Sequence, residues 1–196
     1  MQTSGVAMNA SIILYARNAH LLQYCVKSIQ LHTPYPYELI VINELDDETV
    51  LEPFQGMPEF RSLTWPTGLH TEEAFQIGAS VASGDILVLM HDYVAVTSHW
   101  LNDLVGILEH DTKLSIVSPI ITDVDITHPL DQANLQLDSL YKLARGRRAV
   151  QSHGVQWVDE LEGPLLVVKK RPFIERSHRK SASPGHQGEA CCLSCE

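Results

Sequence analysis

Gly84-Asp85-Ile86-Leu87-Val88-Leu89-Met90-His91-Asp92-Tyr93-Val94-Ala95-Val96-Thr97-Ser98-His99-Trp100-Leu101 opens on a turn, runs through an apolar segment from Ile86 to Met90, and then delivers His91 and Asp92. A run this short, bounded by Gly84-Asp85 and by polar residues, predicts a strand buried on both faces. In open α/β sheets the carboxyl ends of such strands form the ligand crevice. Asp92 is therefore the first functional candidate. The plainer alternative is a helix-capping or loop role.

Outward from this stretch, strand-like and helix-like segments alternate. Ser11 to Tyr15 reads as a strand, and Asn18 precedes a helix with Leu22, Cys25, Val26 and Ile29 at helical spacing. Pro34 and Pro36 end that helix, and Glu38 to Ile42 forms a second buried strand ending at Asn43-Glu44. Leu45 to Val50 reads as a short acidic helix or turn, and Arg61 to Thr64 as a weaker strand. Thr71 is positioned to cap a helix with Glu72 and Glu73 in its first turn and an apolar face of Ala74, Ile77, Gly78 and Val81. After His91-Asp92, Thr97 or Ser98 caps a helix carrying Leu101, Leu104, Val105 and Leu108, and Leu114 to Val117 follows as a strand. Asp123 to Pro129 is expected as a loop, Leu130 to Leu143 as a helix and Gly163 to Val168 as a strand. The alternation predicts an α/β fold, a Rossmann-type, mostly parallel sheet with helices on both faces.

At 196 residues, with 44% hydrophobic and 19% charged residues, the chain has enough apolar material for one domain with a core. Its formal net charge of -10 argues against nucleic acid as a partner, because nothing in the bulk charge offsets phosphate repulsion. No apolar run reaches the roughly 18 residues of a membrane span. Met1 to Ala10 lacks the basic start and apolar stretch of a signal peptide. The expectation is a cytoplasmic protein without a transmembrane segment, with peripheral membrane contact left open. From Arg176 the sequence loses apolar period, so the expected organisation is a domain over 1–175 and a flexible basic, cysteine-containing tail over 176–196. Cys191-Cys192-Leu193-Ser194-Cys195 contains a C-x-x-C spacing without a second pair; His178 and His186 would have to complete a zinc site, which is disfavoured because a Gly/Ser-rich tail gives no preorganised cage. Cys25 reads as a small core residue.

In order and spacing these pieces resemble the family-two glycosyltransferases of GT-A fold, over about Ala10 to Phe173. Ser11-Ile12-Ile13-Leu14-Tyr15-Ala16-Arg17-Asn18 is similar to that family's first strand, usually Ser-Ile-Ile-Ile-Pro-Thr-Tyr-Asn, and matches its final Asn. Leu39-Ile40-Val41-Ile42-Asn43-Glu44 resembles the second strand, whose terminal acids contact the donor base. His91-Asp92-Tyr93, followed by Thr97-Ser98-His99-Trp100-Leu101, stands where the family has Asn-Asp-Asp or Asp-x-Asp and then Thr-Pro-x-Trp-Leu. The resemblance implies a truncated or divergent member of the family. The activity it implies is inverting transfer of a hexose from a nucleotide-diphosphate sugar to a hydroxyl of a saccharide or other acceptor.

Breaking the bond between sugar and diphosphate leaves negative charge on phosphate, which a hard cation, Mn2+ or Mg2+, can neutralise. The resemblance makes Asp92 the metal ligand, with His91 contributing a nitrogen better suited to Mn2+. Tyr93, at the second acidic position, is a poor ligand. Asn18, Asn43 and Glu44 are the donor-binding candidates; each also suits a cap or turn. The attacking hydroxyl needs a general base. The family's acidic motif for that role has no match here, and Asp159, Glu160 and Glu162 are the nearest substitutes. Two other readings stand beside this one. The first is a catalytically inactive nucleotide- or partner-binding domain derived from a glycosyltransferase. The second is a nucleotidyltransferase, disfavoured because no Gly-rich, Lys-containing phosphate loop follows the first strand.

Overall fold

The computed structural model describes residues 9–45, 47–57, 59–119, 155–158, 163–180 and 190–193. Strand β1 (Ala10–Ala16) is buried at every position, as a strand covered on both faces must be. Asn18 caps helix α1 (Ala19–His32), its Oδ1 accepting from the N–H groups of His20 and Leu21. Strand β2 (Tyr37–Asn43), a 3-10 helix (Glu48–Phe54), strand β3 (Phe60–Thr64), helix α2 (Thr71–Val81), strand β4 (Ile86–His91), helix α3 (Trp100–His110) and strand β5 (Ile116–Pro119) follow. Strands β6 (Val155–Val158) and β7 (Leu165–Lys169), helix α4 (Lys170–Lys180) and strand β8 (Ala190–Leu193) come after them. The loop expected over Asp123–Pro129 and the helix expected over Leu130–Leu143 lie outside the described residues.

The strands form one sheet in the order β3-β2-β1-β4-β7-β5-β8-β6. The first four run parallel. Beyond them the sheet is mixed: β7 is antiparallel to β4 and β5, β8 is parallel to β5, and β6 is antiparallel to β8. The fold is α/β, with helices on both faces. On one face α1 and α3 bury Leu22, Val26, Ile29, Leu104 and Leu108 against Ile12, Leu14, Val88 and Met90. On the other, α2 buries Ala74, Phe75 and Ala79 against Ile13, Tyr15, Ile40 and Leu89, with Phe173 of α4 packed alongside. Strand alternation produces this division, since neighbours such as Ile12 and Ile13 point to opposite faces. At about 1.5–3 kcal/mol for each fully buried aliphatic side chain, these two layers dominate the stability. No helix among the described residues is long and apolar enough to cross a membrane.

Three local expectations are corrected. Helix α2 is capped from His70, whose N–H donates to Glu73 Oε2 at 3.1 Å, and Thr71 is already helical. Its buried face is Ala74, Phe75, Gly78 and Ala79, whereas Val81 is exposed. Helix α3 starts at neither Thr97 nor Ser98 but after His99, which takes a left-handed φ of 68°. The buried Trp100 sets that start: its Nε1–H donates to Thr33 Oγ1 at 2.9 Å. Separately from these three, helix α4 runs from Lys170 to Lys180. Pro172 is tolerated in its first turn, and Arg171 and Glu175 pair at 3.1 Å one turn apart.

The approach of α2 to the sheet depends on Gly78. A Cβ there would lie 2.2 Å from Cγ2 of Ile13, a β-branched side chain with little freedom to move. Gly78→Ala is expected to cost about 1–3 kcal/mol through overpacking. Denaturant titration checks this, and an unchanged midpoint would show that the helix shifts at no cost.

Candidate functional site

The chain leaves β1 for β2 on one side, while β4 adds to its other side, so the strand order reverses at β1. Open α/β sheets bind ligands outside the carboxyl ends of the strands at such a switch point. The register aligns these ends, pairing Ala16 with Asn43 and Tyr15 with His91. Arg17, Glu44 and Asp92 consequently emerge together.

Asp92 is buried, and its Oδ2 accepts from the backbone N–H of Arg17 and of Asn18, both at 2.6 Å. The carboxylate thus clamps the turn from β1 into α1. Glu44 is also buried. Its Oε1 accepts from the Leu69 N–H at 2.7 Å, and its Oε2 lies 3.4 Å from Arg17 Nε. Tyr15 completes this corner by donating its hydroxyl to the Leu69 carbonyl at 2.8 Å. Burial, with the Glu44 carboxylate beside it, pushes the Tyr15 phenol up to about 12, so it remains a donor at neutral pH. Leu69 is thereby pinned through both its N–H and its C=O. The loop carrying it passes through Gly68 at φ 103°, a conformation that favours glycine.

Asn43 is fully buried. Its Oδ1 accepts from the Leu45 N–H at 3.1 Å, closing an Asx turn, and its Nδ2 is buried with no hydrogen-bond partner among the described residues. Asn18 is engaged as the α1 cap. His91 is half-buried and points to the other side of β4 from Asp92. Its ring meets Tyr15 at 5.9 Å and Phe75 at 5.6 Å, and stacks on Tyr93 at 5.2 Å. Burial pushes the His91 imidazole down, against the pull of Asp92. Burial first, and then Asp92, raises the Tyr93 phenol. Both rings are neutral at pH 7. Cys25 is buried and its thiol is pushed up by that burial, which leaves it a core residue with no thiolate.

Asn18, Asn43, Glu44, His91 and Asp92 are thus brought to one edge, whereas Asp159, Glu160 and Glu162 lie outside the described residues. The sequence reading missed Arg17, Tyr15 and the Leu69 backbone. The signal for Arg17 was its place immediately before Asn18, at the end of a buried strand.

A divalent cation at this edge needs several oxygen ligands. Among the described residues no three His, Cys, Asp or Glu side chains are grouped to hold one. One Asp92 oxygen already serves two backbone donors, and the neighbouring side chains are a neutral imidazole and a neutral phenol. The described donor set does not fit a hard cation.

Known proteins share this fold. The chain is 33% identical over 128 residues, 59% of its length, to the "Inactive polypeptide N-acetylgalactosaminyltransferase-like protein 5" of Macaca fascicularis, and it spans 28% of that relative. It superposes with a TM-score of 0.69 and 14% identity on a crystal structure of GalNAc-T7 with UDP, GalNAc and Mn2+, covering 96% of this chain and 43% of the other. The mannosyltransferase PcManGT from Pyrobaculum calidifontis, in complex with GDP-Man and Mn2+, matches at TM-score 0.60 and 16% identity, over 86% of this chain and 46% of that one. TarS 1-349 of S. aureus also matches at 0.60, with 10% identity, over 87% of this chain and 49% of that one. At these identities the solved structures establish the fold, which is that of GT-A glycosyltransferases. The family described as "Glycosyl transferase family 2" matches residues 11–154, most of the chain, and to that family the chain belongs.

Proposed function

We propose that the chain binds a nucleotide-diphosphate sugar at the carboxyl edge of β1, β2 and β4 and presents it for transfer to an acceptor hydroxyl. The observation that carries this reading is the emergence of Arg17, Glu44 and Asp92 together at the switch point of the sheet. An ionised carboxylate has about four lone-pair sites. Glu44 therefore retains acceptor capacity for the N–H of a uracil or guanine after serving Leu69 and Arg17. UDP is the first candidate, supported by the nucleotide held in the GalNAc-T7 structure. Calorimetry with UDP and GDP tests the reading. UDP should bind, and Glu44→Ala should weaken it about tenfold, the value of a hydrogen bond to a charged group. Absence of binding by either nucleotide would remove the proposal.

For the transfer step, Asp159, Glu160 and Glu162 are the proposed source of the base that takes the acceptor proton. Changing all three to Ala should lower transfer by about 10²–10⁴-fold. Full transfer in that variant would reassign the base. A second reading, nucleotide binding without transfer, is favoured by the replacement of both alternate metal-motif positions by His91 and Tyr93. That a relative is itself named inactive supports it too. Binding of UDP with no release of sugar to any hydroxyl acceptor would select it.

A further inference from the structure

We infer that this chain takes up the diphosphate of its donor without a divalent cation, using the Arg17 guanidinium beside a stacked pair of rings that stand where a metal-ligating pair would be. The inference rests on the nucleotide-binding reading above. The chain turns directly after β4, the His91 carbonyl accepting from the Val94 N–H at 3.2 Å, and this turn brings the side chains of residues 91 and 93 together, so an Asp-x-Asp pair here would aim both carboxylates into one space. Here those alternate positions are His91 and Tyr93, and their rings fill that space against each other with 23° between planes. Tyr15 and Phe75 close further sides of the imidazole. Asp92, between them, faces the start of α1 and is held there by two short backbone hydrogen bonds. Its Oδ2 is thereby committed to the turn into α1. Turning it to meet a cation would leave the Arg17 and Asn18 N–H groups without their acceptor.

The positive charge at this edge belongs to Arg17. Its side chain is 65% exposed, its contact with Glu44 is through Nε, and its guanidinium carbon lies 5.8 Å from the Tyr15 ring centroid. A guanidinium presents five N–H donors in a planar fork suited to phosphate oxygens, and Nε carries one of them. Glu44 and Tyr15 therefore orient the group, and the side chain stays largely exposed at the edge. Tyr15 lies between the guanidinium and the ring pair, 5.8 Å from the first and 5.9 Å from the His91 ring.

Titration of UDP into the full chain, once in excess Mn2+ and once in EDTA, is the test. The expected result is one Kd, equal within about twofold in the two buffers, and a loss of about tenfold or more in Arg17→Ala. Changing His91→Asp and Tyr93→Asp together should create a dependence on Mn2+ that the natural chain lacks. Binding in Mn2+ that weakens more than about tenfold in EDTA would overturn the inference and leave nucleotide binding standing. Unchanged binding by Arg17→Ala would overturn the role of the guanidinium. No binding of UDP in either buffer would overturn this inference together with the reading beneath it.

Discussion

Glu38→Ala is expected to destabilise the fold by about 3 kcal/mol or more, because it removes one acceptor from several buried donors at once. Glu38 is 5% exposed on β2. Its Oε1 accepts from Ser11 Oγ at 2.5 Å, the Ser83 N–H at 2.5 Å, Ser83 Oγ at 2.7 Å and the Gly84 N–H at 3.3 Å. Arg61 stands 3.8 Å from its other oxygen. This network ties the amino ends of β1 and β2 to the turn that launches β4, and Gly84 has no room for a side chain there: a Cβ would meet the Asn9 carbonyl oxygen at 2.5 Å. Burial alone would raise the Glu38 carboxyl, but the hydrogen bonds from Ser11, Ser83 and Gly84 outweigh it and hold the group below its ordinary value of 4.5. The folded chain therefore binds this proton less readily than the unfolded chain does. Its contribution is complete above the ordinary value and fades as pH falls through the folded one. Urea titrations of the natural chain and of Glu38→Gln at neutral and acidic pH check both parts. The gap between the two should be wide at neutral pH and shrink in acid. A gap independent of pH would mean that the carboxylate charge contributes nothing.

The strands at the switch point were legible because their residues carry a pattern that burial imposes. Ile86 to Met90 and Leu39 to Ile42 are unbroken apolar runs, and both are fully covered strands. Asn18 was legible as a cap because its amide and the chain direction alone determine that role. What depends on distant partners was not legible. Glu38 looks like an ordinary strand-edge acid until Ser11 and Ser83 are brought to it across the sheet. Asp92 was found by position, but position could not tell a ligand from a clamp, since the two N–H groups it holds are more than 70 residues away in sequence. The start of α3 was misjudged for a similar reason. Thr97 and Ser98 have good capping chemistry, yet the Trp100 indole and its bond to Thr33 decide where the helix begins. The direction of β7 has no local signature, because a single run such as Leu165 to Val168 serves equally in a parallel or an antiparallel ladder.

Asp92→Ala is expected to be the most damaging change at the carboxyl edge, with a loss of about 2–4 kcal/mol. Two backbone donors, from Arg17 and Asn18, would lose an ionised acceptor at 2.6 Å, and the turn feeding α1 would lose its clamp. Asp92→Asn separates the possible reasons for such a loss. An amide oxygen in the same place still accepts from both N–H groups, so Asn should recover a large part of the lost stability. The charge is gone in either variant. If Asp92 acts only as a clamp, Asn should bind UDP nearly as the natural chain does, and its affinity should remain indifferent to Mn2+. If Asp92 acts as a metal ligand, Asn should fold normally yet lose UDP affinity in Mn2+. Calorimetry on a variant shown by its melting curve to be folded distinguishes the two. The short paired bonds at Oδ2, and the neutral rings on either side in sequence, favour the clamp.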